Sequence, residues 1–205
     1  MSSNNAAIKT WFAQPILEVF DLISENENEN LIKEIKSIKS NTQSGGQGWN
    51  TNVYNTYERY SLHKSDFFNN LTTKIEYHTD KFALQLGSEA EYKVSESWFN
   101  FYNKYDYQEY HYHPLSFFSA IYFFKNPENA GKTIFKSYEE PNMLPLKNLK
   151  RNELSQSNCH YIPRERTLLI FKSNLLHMVS QSQSDEPRIT ASFNLVWWFE
   201  DAYYK

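Results

Sequence analysis

The stretch Tyr107-Gln108-Glu109-Tyr110-His111-Tyr112-His113-Pro114 decides the reading of this chain. It is rich in aromatic residues and closed by proline, which marks a short β-strand. Residues two apart on a strand point to one face, so the imidazoles of His111 and His113 face the same way. Similar runs surround it. Trp98 to Tyr102, Phe117 to Phe124, Thr133 to Lys136, Thr167 to Phe171, His177 to Gln181 and Ile189 to Phe199 are all short, aromatic and β-branched. Loops of Pro, Asn, Ser or Glu separate them, and no long helical pattern intervenes. That excludes parallel βαβ units and predicts a jelly roll or barrel.

Upstream the pattern is different. Residues 11–22 predict an early strand, placed at an edge by Pro15. Asn26 to Asn30 is a polar Glu/Asn run, too hydrophilic to pack, leading into a short helix with Leu31, Ile32, Ile35 and Ile38 at helical spacing. Ser44 to Gly48 is a loop by composition. A longer helix is predicted over 65–86, capped by Ser65 or Asp66, with Phe67, Phe68, Leu71, Ile75, His78 and Phe82 on one face and Gly87 ending it. Glu139 to Asn158 is a polar insertion loop. The expected fold is mainly β: a double-stranded β-helix (jelly roll, cupin-like) with N-terminal helices packed on one sheet. No linker divides the chain, so 1–205 is one domain, with 1–96 as its helical N-terminal part and 97–205 as its β core.

Composition narrows the function. The chain has 205 residues and a net charge of −3, with no large basic face that would signal nucleic acid. Aromatics reach 17%, which excludes a disordered chain. A single cysteine, Cys159, excludes an internal disulfide and a thiolate-rich metal site. No apolar run is long enough for a membrane span, and no basic, apolar leader stands at the N-terminus, so a cytoplasmic location is expected.

Three signals carry chemistry. His111 and His113 share a face, and imidazole suits iron, zinc, copper and nickel. His177 stands between apolar neighbours in Leu175-Leu176-His177-Met178-Val179, one short turn after the strand Thr167 to Phe171. An antiparallel neighbour would bring it beside the pair. Arg188 then enters a strongly apolar strand, where a guanidinium is costly unless it meets an anion; its planar fork matches a carboxylate. Taken singly, His111 and His113 read at least as well as a structural pair, His177 reads first as a satisfied core histidine, and Arg188 reads as well as a rim arginine that snorkels to water.

From Trp98 to Phe199 the chain resembles the 2-oxoglutarate/Fe(II)-dependent oxygenases, in the bacterial and phage branch with an H-x-H-P segment. The resemblance is carried by Trp98-Phe99-Asn100, Tyr107 to Ser116, Ser119 to Phe123, Gly131 to Phe135, Pro163 to Phe171, Leu176 to Val179 and Arg188 to Asn194, with looser agreement at Gln14-Pro15-Ile16 and Gly48-Trp49-Asn50. It implies Fe(II) held by His111, His113 and the distal His177, with 2-oxoglutarate and O2 as cosubstrates. Arg188 would pair with the far carboxylate of 2-oxoglutarate, helped by Thr190 or Ser192, and by Tyr122 as a second cosubstrate contact. The implied reaction is hydroxylation of a small-molecule or peptide substrate with release of succinate and CO2. Two departures stand out. His113 occupies the position where the family most often has Asp or Glu, and Arg166 occupies one where it usually has glycine. Because of the first, a three-histidine cupin enzyme or metalloprotein without 2-oxoglutarate stays open, as does a ligand set starting at His113 and completed by Ser116 or water. A non-enzymatic jelly-roll interaction module is the third reading.

Overall fold

The computed structural model describes residues 12–45, 52–138 and 156–198. Ten strands and two α-helices follow in the order β1 (Leu17–Val19), α1 (Glu25–Asn41), β2 (Tyr54–Asn55), α2 (Asn69–Gln85), β3 (Tyr92–Tyr102), β4 (Gln108–His111), β5 (Phe118–Lys125), β6 (Thr133–Lys136), β7 (Asn158–Tyr161), β8 (Leu168–Lys172), β9 (His177–Val179) and β10 (Arg188–Trp197). They form a six-stranded sheet in the order β1-β8-β5-β10-β3-β2 and a four-stranded sheet in the order β4-β9-β6-β7. All pairings are antiparallel. This is the expected jelly roll, with two facing sheets that do not close into a barrel. Among the described residues, no helix is long and apolar enough to cross a membrane.

The large sheet has two different faces because side chains alternate along each strand. On β10, Ile189, Ala191, Phe193 and Leu195 join Phe99 and Phe101 of β3 and Ala120, Tyr122 and Phe124 of β5 in the main apolar core. Both helices cover that face, through Leu31, Ile35 and Ile38 of α1 and Leu71, Ile75 and Phe82 of α2. The opposite face looks toward the small sheet. It carries a smaller apolar cluster built on Ile121, Phe123, Phe135, Leu169 and Phe171, and a row of polar residues on β10.

The N-terminal half departs from the sequence reading in instructive ways. The Glu/Asn run does pack: it forms the first turns of α1, because Ser24 caps the helix by accepting from the Glu27 amide at 3.2 Å and Glu25 and Glu27 suit its positive end. Asn28 is buried there, donating to the Phe124 carbonyl at 3.0 Å and accepting from the Tyr122 hydroxyl at 3.0 Å. The second helix starts at Asn69. Ser65 and Asp66 lead instead into a 3-10 turn at Asp66–Phe68, with no side-chain cap. On α2, Thr79 takes the buried place next to His78, because its hydroxyl is satisfied by the Ile75 carbonyl at 2.8 Å. Gly87 ends the helix at φ +87°.

Strand β1 is an edge strand, as Pro15 predicts. Strand β3 starts at Tyr92, five residues before the apolar signal at Ser97, because Lys93 and Glu96 mask the buried Tyr92 and Val94. Strand β7 lies at the end of the stretch read as an insertion loop. Residues 139–155 of that loop, with Lys147, Lys150 and Arg151, lie outside the described residues, as do 46–51 and 199–205. Arg166 adopts φ +63°, the left-handed region that glycine enters without strain. Its side chain compensates by pairing with Asp21 at 2.7 Å and donating to the Ile23 carbonyl at 3.3 Å.

Candidate metal centre

The pairing of β4 with β9 sets His111 directly opposite His177. His113 follows just beyond β4, its amide held by the Ser173 carbonyl at 2.9 Å. One ligand nitrogen from each of the three histidines lies within 4.8 Å of the other two. Ring centroids are 4.2 Å apart for His111 and His177, 5.1 Å for His113 and His177, and 5.3 Å for His111 and His113. His177 is 2% exposed and wedged against Phe135 and Phe171; the Trp98 ring stacks on His113.

The hydrogen bonds behind the rings fix their protons. Nδ1 of His111 meets the Glu109 carbonyl at 2.8 Å, and Nδ1 of His177 meets the Leu175 carbonyl at 2.9 Å. A carbonyl only accepts, so both Nδ1 atoms donate and the lone pair stands on Nε2. His113 Nδ1 makes a short hydrogen bond to Asn194 Oδ1, with the same result. Burial keeps the rings neutral. It pulls His111 down to about 4, lowers His113 against the opposing effect of the Asn194 bond, and holds His177 well below its ordinary value, helped by the two other rings. Three neutral imidazoles with Nε2 lone pairs turned to one point form a donor set suited to a divalent transition metal.

Arg188 faces the same interior from the large sheet, at the start of β10. It is 1% exposed. Its Nη2 donates to Thr133 Oγ1 at 2.7 Å and its Nη1 to the Gly131 carbonyl at 3.4 Å. Gly131 has φ +84°, and a Cβ there would lie 2.3 Å from the Ser180 carbonyl oxygen, so no other residue fits that turn. The guanidinium is flanked by the Tyr102 and Phe123 rings at 5.4 and 5.0 Å. Its Nε has no hydrogen-bond partner, and among the described residues it meets no carboxylate. Burial lowers it to about 10. A buried cation that meets no anion among the described residues is costly. Thr133, which holds Arg188, pairs with Val179, two residues along β9 from His177. At about 3.3 Å per residue that is roughly 7 Å of strand.

Thr190, Ser192 and Asn194 continue the face that begins with Arg188, and Ser192 Oγ accepts from Asn100 Nδ2 at 3.2 Å. Tyr122 is not brought to this site. It points to the helix side, with its hydroxyl on Asn28; its neighbours Ile121 and Phe123 face the interior. The sequence reading also passed over Asn194 and Glu96. Asn194 Nδ2 donates to Glu96 Oε2 at 2.8 Å. The alternation Arg188, Thr190, Ser192, Asn194 was the available signal for the first. Outside the histidines opens a cleft of about 730 Å³, walled by Tyr57, Trp98, Asn100, Gln108, Tyr112 and Glu96 among others.

Residues 96–194 match the model of a family described as "Putative 2OG-Fe(II) oxygenase". That segment, a little under half of the chain, is similar to the 2-oxoglutarate/Fe(II)-dependent oxygenases. The three-histidine donor set fits the iron(II) named in that family's description. No curated protein matches it. Among solved structures, the non-heme alpha-ketoglutarate-dependent epimerase SnoN of nogalamycin biosynthesis superposes with a TM-score of 0.68 at 13% identity, over 89% of this chain and 78% of that one. A prolyl-4-hydroxylase of Pseudomonas putida gives 0.64 at 11% identity, over 88% and 92%. The viral collagen prolyl hydroxylase of Paramecium bursaria chlorella virus-1 gives 0.57 at 16% identity, over 88% and 94%. At these identities the likeness is one of fold. It confirms the jelly roll independently of the motifs.

Proposed function

We propose that the chain is a dioxygenase that hydroxylates a small-molecule or peptide substrate at the mouth of the jelly roll, with conversion of 2-oxoglutarate to succinate and CO2. His111, His113 and His177 would hold the iron through Nε2. Arg188 would bind the far carboxylate of 2-oxoglutarate, with Thr190 and Ser192 as nearby hydroxyls on the same strand. When bound, iron(II) with 2-oxoglutarate and dioxygen supplies the oxidation of a substrate C–H bond.

The observation that carries this reading is Arg188. A metal centre without a diacid cosubstrate would need three histidines and nothing more. The buried guanidinium, propped by Thr133 and Gly131, meets no carboxylate among the described residues, and a carboxylate brought by the cosubstrate would give it one. The chain's own residues then divide the work. The histidines stay unprotonated by burial and so remain available as ligands. Tyr102, Phe123 and Phe171 exclude water around Arg188 and His177, which strengthens the charge pair in a site of low dielectric. The cleft leaves its open side over His111 and His113 for the substrate.

The test is anaerobic titration of the protein with Fe(II) and 2-oxoglutarate, followed by admission of oxygen. The expected result is a weak visible charge-transfer band that needs both additions, and succinate formed when air enters. A protein that binds iron but gives neither band nor succinate would overturn the 2-oxoglutarate reading.

A further inference from the structure

We infer that Glu96 is a positioning residue for the metal ligand His113: its carboxylate fixes which way the Asn194 amide faces, and the amide in turn fixes which nitrogen of His113 carries the proton. This rests on the reading of the three histidines as metal ligands.

The three rings reach the same tautomer by unequal means. His111 and His177 donate from Nδ1 to main-chain carbonyls two residues back on their own chain, and those oxygens cannot turn. His113 donates to a side-chain amide. An amide can rotate by half a turn, exchanging Oδ1 and Nδ2 with almost no change of shape. With Asn194 turned that way, an N–H would face His113 Nδ1. The ring would have to accept there, its proton would move to Nε2, and the ligand nitrogen would be blocked.

Besides His113, two of the described residues bond to the amide, and one of these two forbids that rotation. Ser119 Oγ donates to Asn194 Oδ1 at 3.1 Å and shares a second bond with Ser173 Oγ at 2.8 Å. A hydroxyl both donates and accepts, so this pair would adapt to a turned amide by rotating its own protons. Glu96 cannot. Its Oε2 accepts from Asn194 Nδ2 at 2.8 Å, and a carboxylate only accepts. Turning the amide would set oxygen against oxygen. The orientation of Asn194, and with it the lone pair on His113 Nε2, therefore comes from Glu96.

The backbone is built to hold this arrangement. Asn194 lies between Glu96 of β3 and Ser119 of β5 as a direct cross-strand partner of both. The register of β3 shifts at this point, leaving Ser95 as the extra residue, and the Ser95 hydroxyl donates to the Asn194 carbonyl at 3.2 Å. A bulge beside a site re-aims the side chain next to it. Glu96 Oε1 also takes a long 3.5 Å contact from the Tyr57 hydroxyl, on the cleft wall.

The experiment follows the histidine rings of the metal-free, nitrogen-15-labelled full chain by long-range proton–nitrogen NMR at neutral pH, for the natural sequence and for Glu96→Leu and Glu96→Gln, with Co(II) affinity and the visible Co(II) spectrum measured beside it. In the natural sequence all three rings are expected protonated on Nδ1. In Glu96→Leu, His113 alone loses that tautomer, and Co(II) affinity falls by about 10- to 100-fold, the usual effect of removing an outer-shell partner. His111 and His177 keep their signals, which shows the fold intact. Glu96→Gln, which still offers an acceptor oxygen, recovers part of both. A Glu96→Leu protein with His113 still protonated on Nδ1 and unchanged Co(II) affinity would overturn the inference, as would a natural protein with His113 protonated on Nε2. If the natural protein binds no metal at all, it is the proposed function that fails, and the NMR tautomer still decides the role of Glu96.

Discussion

Replacing Arg188 with leucine removes a guanidinium that is 1% exposed and meets no carboxylate among the described residues. Its burial lowers it from 12.5 to about 10. At about 1.4 kcal/mol per pH unit, this amounts to a folding penalty on the order of 3 kcal/mol. The guanidinium is charged in both folded and unfolded chains at neutral pH, so the penalty is present throughout that range and eases only above about pH 10. Against it stand the bonds to Thr133 Oγ1 and the Gly131 carbonyl, each contributing about 1 kcal/mol. The metal-free Arg188→Leu protein should therefore be as stable as the natural one, or more stable by about 1 kcal/mol. Breaking a buried ion pair would instead cost about 3–5 kcal/mol. Binding should change in the opposite direction. Charge-assisted hydrogen bonds to a carboxylate contribute about 1.5–3 kcal/mol, so the Kd for 2-oxoglutarate should rise roughly 10- to 150-fold. Urea unfolding with anaerobic Fe(II), with and without 2-oxoglutarate, reads both effects at once. Cosubstrate at about 100 times its Kd stabilises the natural protein by about 2.7 kcal/mol; a variant binding 100-fold more weakly gains only about 0.4. A variant that loses 3 kcal/mol without cosubstrate and keeps the natural Kd would show that Arg188 already has a partner in the protein, and the clamp would be refuted.

His177→Ala should abolish stoichiometric iron binding, as measured by elemental analysis of anaerobically loaded protein; full occupancy would remove His177 from the shell. Acidification should destabilise the metal-free protein below about pH 6.5. His111 is depressed to about 4 when folded, so between these values the unfolded chain binds more protons, and stability falls with slope up to about 1.4 kcal/mol per pH unit for this ring; a flat urea midpoint from pH 7 to 4.5 would contradict the burial of the triad. Tyr122→Phe should leave the 2-oxoglutarate Kd unchanged while costing about 1–3 kcal/mol of stability, because Asn28 Oδ1 loses a buried donor. A weakened cosubstrate with unchanged stability would place Tyr122 in the site after all.

The readable parts of this sequence were those where one face of an element is buried and the other is wet. Strand parity makes the pairing of His111 with His113 legible, although β4 ends at His111 and the Ser173 carbonyl holds His113 just beyond it. The face of α2 follows from Leu71, Ile75 and Phe82. Strand β5 defeated the same logic. From Phe118 to Phe124 both of its faces are buried, one against the helices and one in the jelly-roll interior, so its sequence is apolar throughout and does not say which way Tyr122 points. The meeting of His111 and His177 depends on the pairing of two strands far apart in sequence, which no local pattern encodes. Glu96 escaped notice because it reads as a solvated charge just ahead of an apolar run. Only the register of β3 against β10 shows that it touches Asn194.

Strand β10 explains why the site keeps its geometry without help from a closed barrel. Its odd-numbered residues from Ile189 to Leu195 are all buried in the helix-covered core, while Arg188, Thr190, Ser192 and Asn194 face the interior. Because the side-chain period is two, a slip of one residue would drive the guanidinium and three polar groups into the apolar core and turn Ile189, Ala191 and Phe193 toward the metal side. Burying one isolated guanidinium among Phe99, Phe101 and Ile75 would by itself exceed the usual 5–15 kcal/mol stability of a domain in the limit of a dry interior. The register is thus set by the core on one side and delivered to the chemistry on the other. Arg188 and Asn194, at the two ends of one interior row, are held at a fixed separation by six residues of strand, about 20 Å of extended chain. The proposed cosubstrate clamp and the inferred His113 relay would therefore be placed by one and the same strand. A mutation that loosens the helix-side packing, such as Phe193→Ala, should disturb both together, with weaker 2-oxoglutarate binding and an altered His113 signal appearing in the same variant; loss of one without the other would show that the two ends of β10 move independently.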